Sequence, residues 1–331
     1  MVDHSGQFER VKGLFSNVFD AGKAVDVFVT ETPRANCRCR AEGDKGGDKA
    51  GSIRIHEDGA GGTVFNERTR CCASWRDDAE RRLTREERQA RNVQWAIQKE
   101  QKAERLRREN RETQFTASMI LRESKPVVNH PYLTRKHITP TSTMFEVDAT
   151  VVDSILMERG HRNDHGQPFK TGYRGRLLVT PLYEGSELKT LQFIDANGKK
   201  RYLHGGHHTG AYWLSRPFEV YQASECIGIA EGVATARSVE LVQGIPCVAV
   251  TSCSNFLSVA QHFRDLFPNK NIVILADLGE GEEQAEKAGQ AINALVKKPY
   301  FTEENVKAFK AITGSDKPTD WNDYCIATGR L

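Results

Sequence analysis

Two acidic residues follow buried-strand patterns in the second half of this 331-residue chain. Glu231 comes directly after the apolar run 227–230, and Asp277 comes after a second run, 272–276. Because ligands of open α/β sheets bind beyond the carboxyl ends of the strands, we expect the two carboxylates to lie close together there. Mg²⁺ prefers such oxygen ligands. The pattern therefore indicates a site that holds a divalent metal ion against a phosphate group.

A third acidic segment stands near the end of the sequence. Asp320 and Asp323 flank the dipeptide Trp-Asn and supply two more carboxylates. Taken alone, an acid at such a place is commonly a helix N-cap or an ion-pair partner, and Gly232 after Glu231 is common at the start of a helix. The three acidic segments together favour the shared metal site over that interpretation.

The elements expected to position these acids alternate in type over residues 219–331. Short β-branched runs that are typical of strands are separated by segments with helical periodicity. The strand runs are 227–230, 246–251 and 272–276, and the helical segments are 234–243, 257–267 and 281–295. This alternation predicts an α/β fold with a doubly wound parallel sheet. Ser254 or Asn255 is expected to cap the helix after the middle strand.

Residues 125–218 show a different pattern and predict a β-rich subdomain. Strand-like runs at 173–182, 188–195 and 201–203 are separated by glycine-containing turns, as in an antiparallel meander. Pro126, near its start, breaks the preceding helix.

Several cationic or metal-binding side chains cluster around the last turn of this meander. They are Lys199, Lys200 and Arg201, followed by His204, His207 and His208. Surface charge alone would explain the three basic residues. The histidines stand among glycines, which favours a loop that contains histidines over a metal site.

Residues 76–124 predict one long charged helix, because they contain no Gly or Pro and are rich in Arg, Glu, Gln and Ala. The range 76–125 has 14 basic and 10 acidic residues, which gives a net charge of +4. Its apolar residues are sparse, so the helix is expected to connect domains. A solvated linker and a helix that contacts nucleic-acid phosphates both remain open.

Residues 1–75 predict a small α+β module. Apolar spacing indicates a helix over 8–19, and the runs 53–56 and 63–66 alternate like the strands of a hairpin. The glycine-rich run 42–49 is interpreted as a solvated turn, since it lacks the ending of a P-loop.

The overall composition, with 38% hydrophobic residues and a formal net charge of +3, is that of a mildly basic protein with ordinary cores. So small a charge neither requires nor excludes a nucleic-acid partner, which needs only a local basic stripe. No stretch approaches eighteen consecutive apolar residues, and the first residues lack the pattern of a secretory signal. We therefore expect a cytoplasmic protein with no membrane partner.

The eight cysteines are expected to be reduced thiols in that compartment. Cys37 and Cys39, followed by Cys71 and Cys72, form Cys-x-Cys and Cys-Cys pairs, with His56 as an extra nitrogen ligand. These pairs are not the knuckles on which structural zinc sites are commonly built, so the spacing argues against zinc.

The acidic segments resemble those of a Toprim domain. The run Ala-Glu-Gly at 230–232 follows a strand, Asp277 ends a later strand, and the segment 317–323 is similar to the acidic Asp-Pro-Asp segment of bacterial DnaG-type primases. The strand-rich runs upstream, which begin at Gly175, Leu191 and Gly198, resemble the subdomain that precedes Toprim in those primases.

Two further runs are more narrowly similar to the TraC-type primases of plasmids and phages. They are His-Pro-Tyr-Leu-Thr-Arg-Lys at 130–136 and the Gly- and Lys-containing run at 38–48. The resemblance implies a C-terminal Toprim sheet at 219–331, a β-rich primase subdomain at 125–218, a charged helix at 76–124 and a small N-terminal module at 1–75.

The resemblance also implies a function and a set of residues. The function is that of a DNA primase, a nucleotidyltransferase that uses Mg²⁺ or Mn²⁺, a single-stranded DNA template and nucleoside triphosphates in the cytoplasm of a bacterial host. A replicative helicase would be a separate partner, because the chain has no P-loop. The implied catalytic and metal-binding residues are Glu231, Asp277, Asp320 and Asp323, with Glu280 as a further metal ligand, and the implied nucleic-acid or nucleotide contacts are Arg176, Lys199, Lys200 and Arg201.

One departure from the family pattern affects the expected activity. The second Toprim motif is normally Asp-x-Asp, whereas this chain has Asp277, Leu278 and Gly279. Glu280 or Glu282 could replace the missing carboxylate through the flexible turn. Otherwise the chain would be a degenerate Toprim protein that binds single-stranded DNA or nucleotides. A third alternative is that the same carboxylates cleave phosphodiesters, as in Toprim nucleases.

Overall fold

The computed structural model describes residues 27–28, 36–41, 50–55, 61–67, 71–76, 84–162, 166–167, 170–206, 208–279 and 281–331. The chain divides into two compact units, Met1–Gln101 and Lys102–Leu331. The predicted helix at 8–19 and the predicted turn at 42–49 lie outside the described residues. No helix among the described residues is both long and apolar enough to cross a bilayer.

The first unit contains an antiparallel sheet with the strand order β1-β2-β3-β4-β5. The strands are β1 (Val27–Phe28), β2 (Asn36–Ala41), β3 (Gly51–Ile55), β4 (Gly61–Asn66) and β5 (Cys71–Arg76). The pairing of β3 with β4 confirms the predicted hairpin, in which Ile53 lies opposite Val64. Residues that lie directly opposite each other on paired strands point to the same face of the sheet, and both of these side chains are buried.

The helix α1 (Arg85–Glu123) confirms the predicted long charged helix. A reciprocal capping box begins it: the Glu87 amide donates to Thr84 Oγ1 at 3.2 Å, and the Thr84 amide donates to Glu87 Oε2 at 2.8 Å. Its first part leaves Trp95 exposed, whereas Ala117 and Ile120 near its end are fully buried in a core. Only the end of the helix therefore packs by hydrophobic burial.

The second unit contains a β-rich part followed by an α/β part. The β-rich part has the strand order β10-β9-β8-β7-β6. Its strands are β6 (Lys125–Pro126), β7 (Phe145–Asp148), β8 (Arg176–Glu184), β9 (Glu187–Ile194) and β10 (Lys200–Tyr202), and its helices are α2 (Pro131–Arg135) and α3 (Ala149–Glu158). The pairing of β8, β9 and β10 confirms the predicted antiparallel meander.

The α/β part has a sheet with the order β11-β13-β12-β14-β15. Its strands are β11 (Trp213–Leu214), β12 (Cys226–Ala230), β13 (Cys247–Ala249), β14 (Asn271–Leu275) and β15 (Leu295–Lys297). Its helices are α4 (Phe218–Ala223), α5 (Val233–Gln243), α6 (Phe256–Leu266), α7 (Glu282–Ala291), α8 (Glu303–Thr313) and α9 (Trp321–Ala327). The strands β12 to β15 are parallel and β11 is antiparallel, so the predicted α/β fold is confirmed with one added antiparallel edge strand.

Apolar cores cover both faces of this sheet. On one face Val233, Ala236 and Val239 of α5 belong to a buried cluster. On the other face Val259 and Phe263 of α6 belong to a second cluster. Two buried faces explain why the central strands read as continuous apolar runs. The sheet is therefore a rigid support for residues at its strand ends.

The predicted N-cap of α6 is confirmed in its position but not in its hydrogen bond. Asn255 stands at the N-cap position, but its side chain makes no capping hydrogen bond. Its amide nitrogen instead donates to the carbonyls of His208 and Val250, at 2.7 and 3.1 Å. Its Oδ1, the atom that would cap the helix, accepts instead from the Gly210 amide at 3.1 Å.

Candidate active site

Glu231 lies at the carboxyl end of β12, in the turn that leads into α5. Its carbonyl accepts a hydrogen bond from the Thr251 amide at 2.8 Å, which joins the ends of β12 and β13. The carboxylate lies against Gly281, where an added Cβ would stand 2.5 Å from Glu231 Oε2. Burial raises the pKa of Glu231, while the charge of Lys200 and the backbone of Cys253 act in the opposite direction. Glycine at 281 thus lets the carboxylate pack against the backbone.

Asp277 follows β14, the strand next to β12. The Leu278 amide donates to the Thr319 carbonyl at 2.8 Å, so the turn after β14 is joined to the segment that carries Asp320. Asp277 Oδ1 is buried and has no hydrogen-bond partner among the described residues. Burial, followed by the charges of Asp320 and Glu231, raises the pKa of Asp277 to about 7. This carboxylate is the least satisfied acid of the site.

Asp320 is the N-cap of α9. Its Oδ1 accepts from the Asp323 amide at 2.8 Å, and its Oδ2 lies 3.8 Å from Lys136 Nζ. Burial raises the pKa of Asp320, the ammonium group of Lys136 opposes this shift, and the charge of Asp323 adds to it. Asp320 thus caps a helix, as an isolated acid at such a place commonly does, and it also lies in the same cleft as Asp277.

Asp323 has a more structural environment than the other predicted acids. Its Oδ2 accepts from the Thr319 amide at 2.9 Å, and its Oδ1 accepts from Lys136 Nζ at 3.4 Å. Both carboxylate oxygens of Asp323 therefore already accept hydrogen bonds, one from its own segment and one from Lys136. Asp323 does not line the cleft described next.

We use the name acidic cleft for a small polar hollow of about 140 Å³ at the ends of β12 and β14. Glu231, Asp277 and Asp320 line it together. Its other lining residues are Tyr132, Lys136, Gln192, Lys200, Gly232, Val233, Ala234, Thr235 and Thr251. Three acidic residues and two lysines, Lys136 and Lys200, thus meet at one edge of the sheet although they come from five separate segments.

The charges of the acidic cleft only partly compensate one another. The carboxylates of Asp320 and Asp323 raise the pKa of Lys136 on balance, although burial alone would lower it. Lys200 keeps contact with solvent, yet burial and then the charge of Lys136 lower the pKa of Lys200. A desolvated ammonium group and raised acid pKa values mean that the site stabilises its charged groups poorly. Such groups favour the binding of a compensating ion.

The acids are not arranged as a finished metal site. Within the part of the chain that the structure describes, no three His, Cys, Asp or Glu side chains form a group able to hold a metal ion. The donor set nevertheless fits a hard cation, because it consists of carboxylate oxygens and includes the unpartnered Asp277 Oδ1.

Neither Glu280 nor Glu282, the predicted replacements for the missing Asp-x-Asp carboxylate, is placed in the acidic cleft by the described residues. Glu280 lies outside the described residues. Glu282 forms an exposed ion pair with Lys298, with Oε1 and Nζ 2.6 Å apart, and does not line the acidic cleft. Gly279 stands where the second aspartate would be and has a φ of 120°, a conformation that side chains with a Cβ rarely adopt. The backbone here thus suits glycine rather than aspartate.

The four basic residues predicted as nucleotide or nucleic-acid contacts separate into two groups. Lys200 lines the acidic cleft, and its Nζ lies 6.0 Å from the centre of the Tyr132 ring. Arg201 points elsewhere and donates from Nη1 to the Thr171 carbonyl at 2.7 Å. Arg176 forms an ion pair with Glu146 at 3.0 Å. Lys199 is exposed in the turn before β10.

The two described loop histidines, His204 and His208, do not line the acidic cleft. His204 lies edge-on to His161, with ring centres 6.0 Å apart, and His208 stacks on Tyr202 at 4.1 Å. His207 lies outside the described residues.

Sequence reasoning missed Lys136 and Tyr132 as members of the site. Lys136 follows α2, and Asn322 Nδ2 donates to its carbonyl at 2.7 Å, which fixes the lysine beside the acidic segment. Tyr132 is buried at the cleft, and its hydroxyl has no partner among the described residues. Both belong to the run 130–136, and nothing in the spacing of that run indicates a contact with a distant acidic segment. The similarity of the run to TraC-type primases was the only signal that could have identified them.

Comparisons with known proteins find a family match and a curated relative. Residues 226–330 match the model of a Toprim domain. Over 319 residues the chain is 26% identical to "DNA primase TraC" of Escherichia coli, an alignment that covers 89% of this chain and 26% of that protein. The chain thus spans about a quarter of the length of this relative.

Two solved structures of primases are also similar. One is the primase fragment of the bacteriophage T7 primase-helicase, with 16% identity, 46% of this chain and 59% of that chain covered, and a TM-score of 0.33. The other is the Aquifex aeolicus primase with its zinc-binding and RNA polymerase domains, with 11% identity, 87% and 77% covered, and a TM-score of 0.39.

Proposed function

We propose that this chain, whose residues 226–330 form a Toprim domain, is a DNA primase that synthesises short RNA primers on single-stranded DNA for phage or plasmid replication. The observation that carries the proposal is the meeting of Glu231, Asp277 and Asp320 in one cleft at the strand ends. The similarity to a DNA primase along most of the chain supports the same conclusion.

A divalent cation, Mg²⁺ or Mn²⁺, is the cofactor that this cleft suits. Asp277 and Asp320 would hold it, and Glu231 would serve either as a further ligand or as the base of the transfer reaction. When bound, such an ion neutralises charge that develops on a transferred phosphoryl group. The spacing of Cys37, Cys39, Cys71 and Cys72 gives no reason to add zinc.

The side chains of the cleft have distinct roles in nucleotide transfer. Glu231 accepts the proton of the attacking 3′-hydroxyl, because its raised pKa makes it a stronger base than an exposed glutamate. Lys200 donates hydrogen bonds to the phosphate oxygens of the incoming nucleoside triphosphate. Lys136 holds Asp320 and Asp323 in place.

The template contact is assigned to the exposed basic residues beside the cleft. Lys199 is exposed in the turn that leads to Lys200, so a phosphate of single-stranded DNA can reach both. Arg201 and Arg176 already contact a carbonyl and a carboxylate, so their contribution to affinity is expected to be smaller. A separate replicative helicase would supply unwinding, and the reaction would take place in the bacterial cytoplasm.

A second function is favoured by one observation. Gly279 replaces the second aspartate in a conformation that suits glycine, and Glu282 is held by Lys298. A site with fewer carboxylates binds metal more weakly. The alternative is therefore an accessory protein that binds single-stranded DNA or nucleotides without catalysis.

The test measures incorporation of a radiolabelled ribonucleotide on circular single-stranded DNA with Mg²⁺. We expect short labelled products from the full chain and a loss of about 100-fold or more in Glu231→Gln, as for removal of a catalytic group. Glu304→Gln is the matched control, because Glu304 is an exposed glutamate in the first turn of α8. Binding without synthesis would establish the accessory role, and nicked template would establish a nuclease.

A further inference from the structure

A mostly apolar hollow in the second unit lies away from the acidic cleft. We call it the aromatic cavity, and its volume is about 590 Å³. It lies between β8, β11, the start of α4 and α6, and it shares no lining residue with the acidic cleft. A hollow of this volume, mostly apolar with a few polar groups, has the usual properties of a small-molecule site.

Aromatic rings form much of its wall. The rings belong to Phe145, Tyr183, Tyr212, Trp213 and Phe218. Tyr212 and Trp213 are fully buried and fixed by hydrogen bonds to His262 Nε2 and the Thr143 carbonyl, at 3.2 Å each. The rings of Phe145, Tyr183 and Phe218 are only half-buried, so these three, rather than Tyr212 and Trp213, can pack against a planar ligand.

Two charged side chains supply polar contacts at the same cavity. The Nε of Arg216 donates to Glu240, which also pairs with Arg237, and the Arg216 side chain is 49% exposed. The other guanidinium nitrogens of Arg216 make no described contact within the protein, so they are available to an anion. Glu219 lines the cavity without a hydrogen bond or ion pair to any described residue.

We propose that the aromatic cavity binds a purine nucleoside monophosphate at a site separate from the acidic cleft. The base packs against the aromatic wall, the phosphate accepts hydrogen bonds from Arg216, and Glu219 accepts an N–H of the base. A guanidinium group suits a phosphate because its planar fork donates two parallel hydrogen bonds. A ligand with a ring and an anion uses both the wall and Arg216.

The site can be tested by calorimetry on the full chain with GMP and AMP in EDTA, which weakens phosphate binding at the acidic cleft. The Lys200→Gln protein is used in parallel, because Lys200 is the basic side chain proposed to bind phosphate there. We expect saturable binding of both monophosphates in both proteins. Guanosine, adenosine and ribose 5-phosphate, which lack either the phosphate or the base, should bind at least about tenfold more weakly.

Three variants assign the binding to this cavity. Arg216→Gln should weaken GMP about tenfold, as expected for a lost charge-assisted hydrogen bond, while Glu240 keeps Arg237 as its partner. Ser186→Trp places a large ring at the cavity from an exposed turn and should abolish binding. Lys310→Gln, at an exposed lysine of α8, is the charge-matched control and should leave the affinity unchanged.

Each other outcome overturns the proposal. It is wrong if neither monophosphate binds, if Ser186→Trp binds GMP like the unmodified chain, or if Lys200→Gln alone removes binding. Circular dichroism of Ser186→Trp shows whether that variant is folded, and Leu266→Trp, at an exposed residue of the same cavity, gives an independent block. These results do not depend on primer synthesis, so they remain separate from the test of Glu231.

Discussion

The acidic cleft and the aromatic cavity lie at different parts of the same mixed sheet, and the smaller of the two has the more reactive chemistry. The cleft measures about 140 Å³ and the cavity about 590 Å³. The small hollow contains an unpartnered carboxylate oxygen and several charged groups, whereas the large one is lined mainly by aromatic and other apolar side chains. Chemistry that involves charge therefore belongs to the cleft, because poorly stabilised groups there favour a bound ion.

The comparison predicts that Asp277→Asn separates the two sites. The change removes a negative charge and the carboxylate whose Oδ1 lacks a partner, so Mn²⁺ affinity should fall by about 100-fold or more. Electron paramagnetic resonance of free Mn²⁺ measures this loss. GMP binding in EDTA should not change. Asp316→Asn, at an exposed aspartate paired with Lys310, is the control. Equal Mn²⁺ affinity in the two variants would contradict the assignment of the cleft.

The second prediction concerns the ammonium group of Lys136, which pairs with Asp320 and Asp323. Lys136→Met leaves Asp320 and Asp323 without their cationic partner, so the free energy of unfolding at pH 8 should fall by about 1–3 kcal/mol. Urea titration measures it. Lys136→Arg should recover most of the loss, because the charge returns. Equal destabilisation by both changes would mean that the shape of the lysine, and not its charge, holds the segment.

The sheet was largely predictable from the sequence, because its central strands are apolar on both faces. The runs that became β12 and β14 contain a strong β-branched signal. The edge strands β11 and β15 were not predicted, since two- or three-residue strands are defined by their neighbours. The predicted helix 281–295 ends early at Ala291, and Asn293 has a left-handed φ of 50° that turns the chain into β15.

The acids of the cleft were easier to identify than their partners. Glu231 and Asp277 end neighbouring parallel strands, so their meeting follows from the sheet itself. Lys136 reaches Asp323 across 187 residues of sequence, and such a contact has no local signature. The same holds for the aromatic cavity, whose rings come from separate strands and helices. Long-range packing decides these contacts, and no periodicity of one segment encodes it.

The third prediction is a dependence of stability on pH without a divalent metal. The pKa of Asp277 is about 7 in the folded chain and 3.8 in its ordinary state. The folded state therefore binds more protons than the unfolded state between these values, and the free energy of unfolding should decrease as pH rises from about 4 to 7.

Urea titrations in EDTA at pH 5 and pH 8 measure this slope, and Asp277→Asn should be less steep. At pH 8 the variant should be more stable than the unmodified chain by about 1–3 kcal/mol, because a desolvated charge is absent. Glu304→Gln is the control for loss of one exposed carboxylate. The same pH slope in Asp277→Asn would show that another group dominates.

The smallest expected effect tests why the cleft lacks a second aspartate. Gly279→Asp would restore the family spacing, but the φ of 120° at this residue disfavours any side chain with a Cβ. We expect a loss of about 1–2 kcal/mol in unfolding free energy and no gain in Mn²⁺ affinity, since the backbone must shift before the new carboxylate can reach the cleft. Leu278→Asp, at the exposed neighbouring residue, separates added charge from backbone strain. Tighter Mn²⁺ binding by Gly279→Asp alone would mean that the turn adapts readily and that the missing carboxylate limits the site.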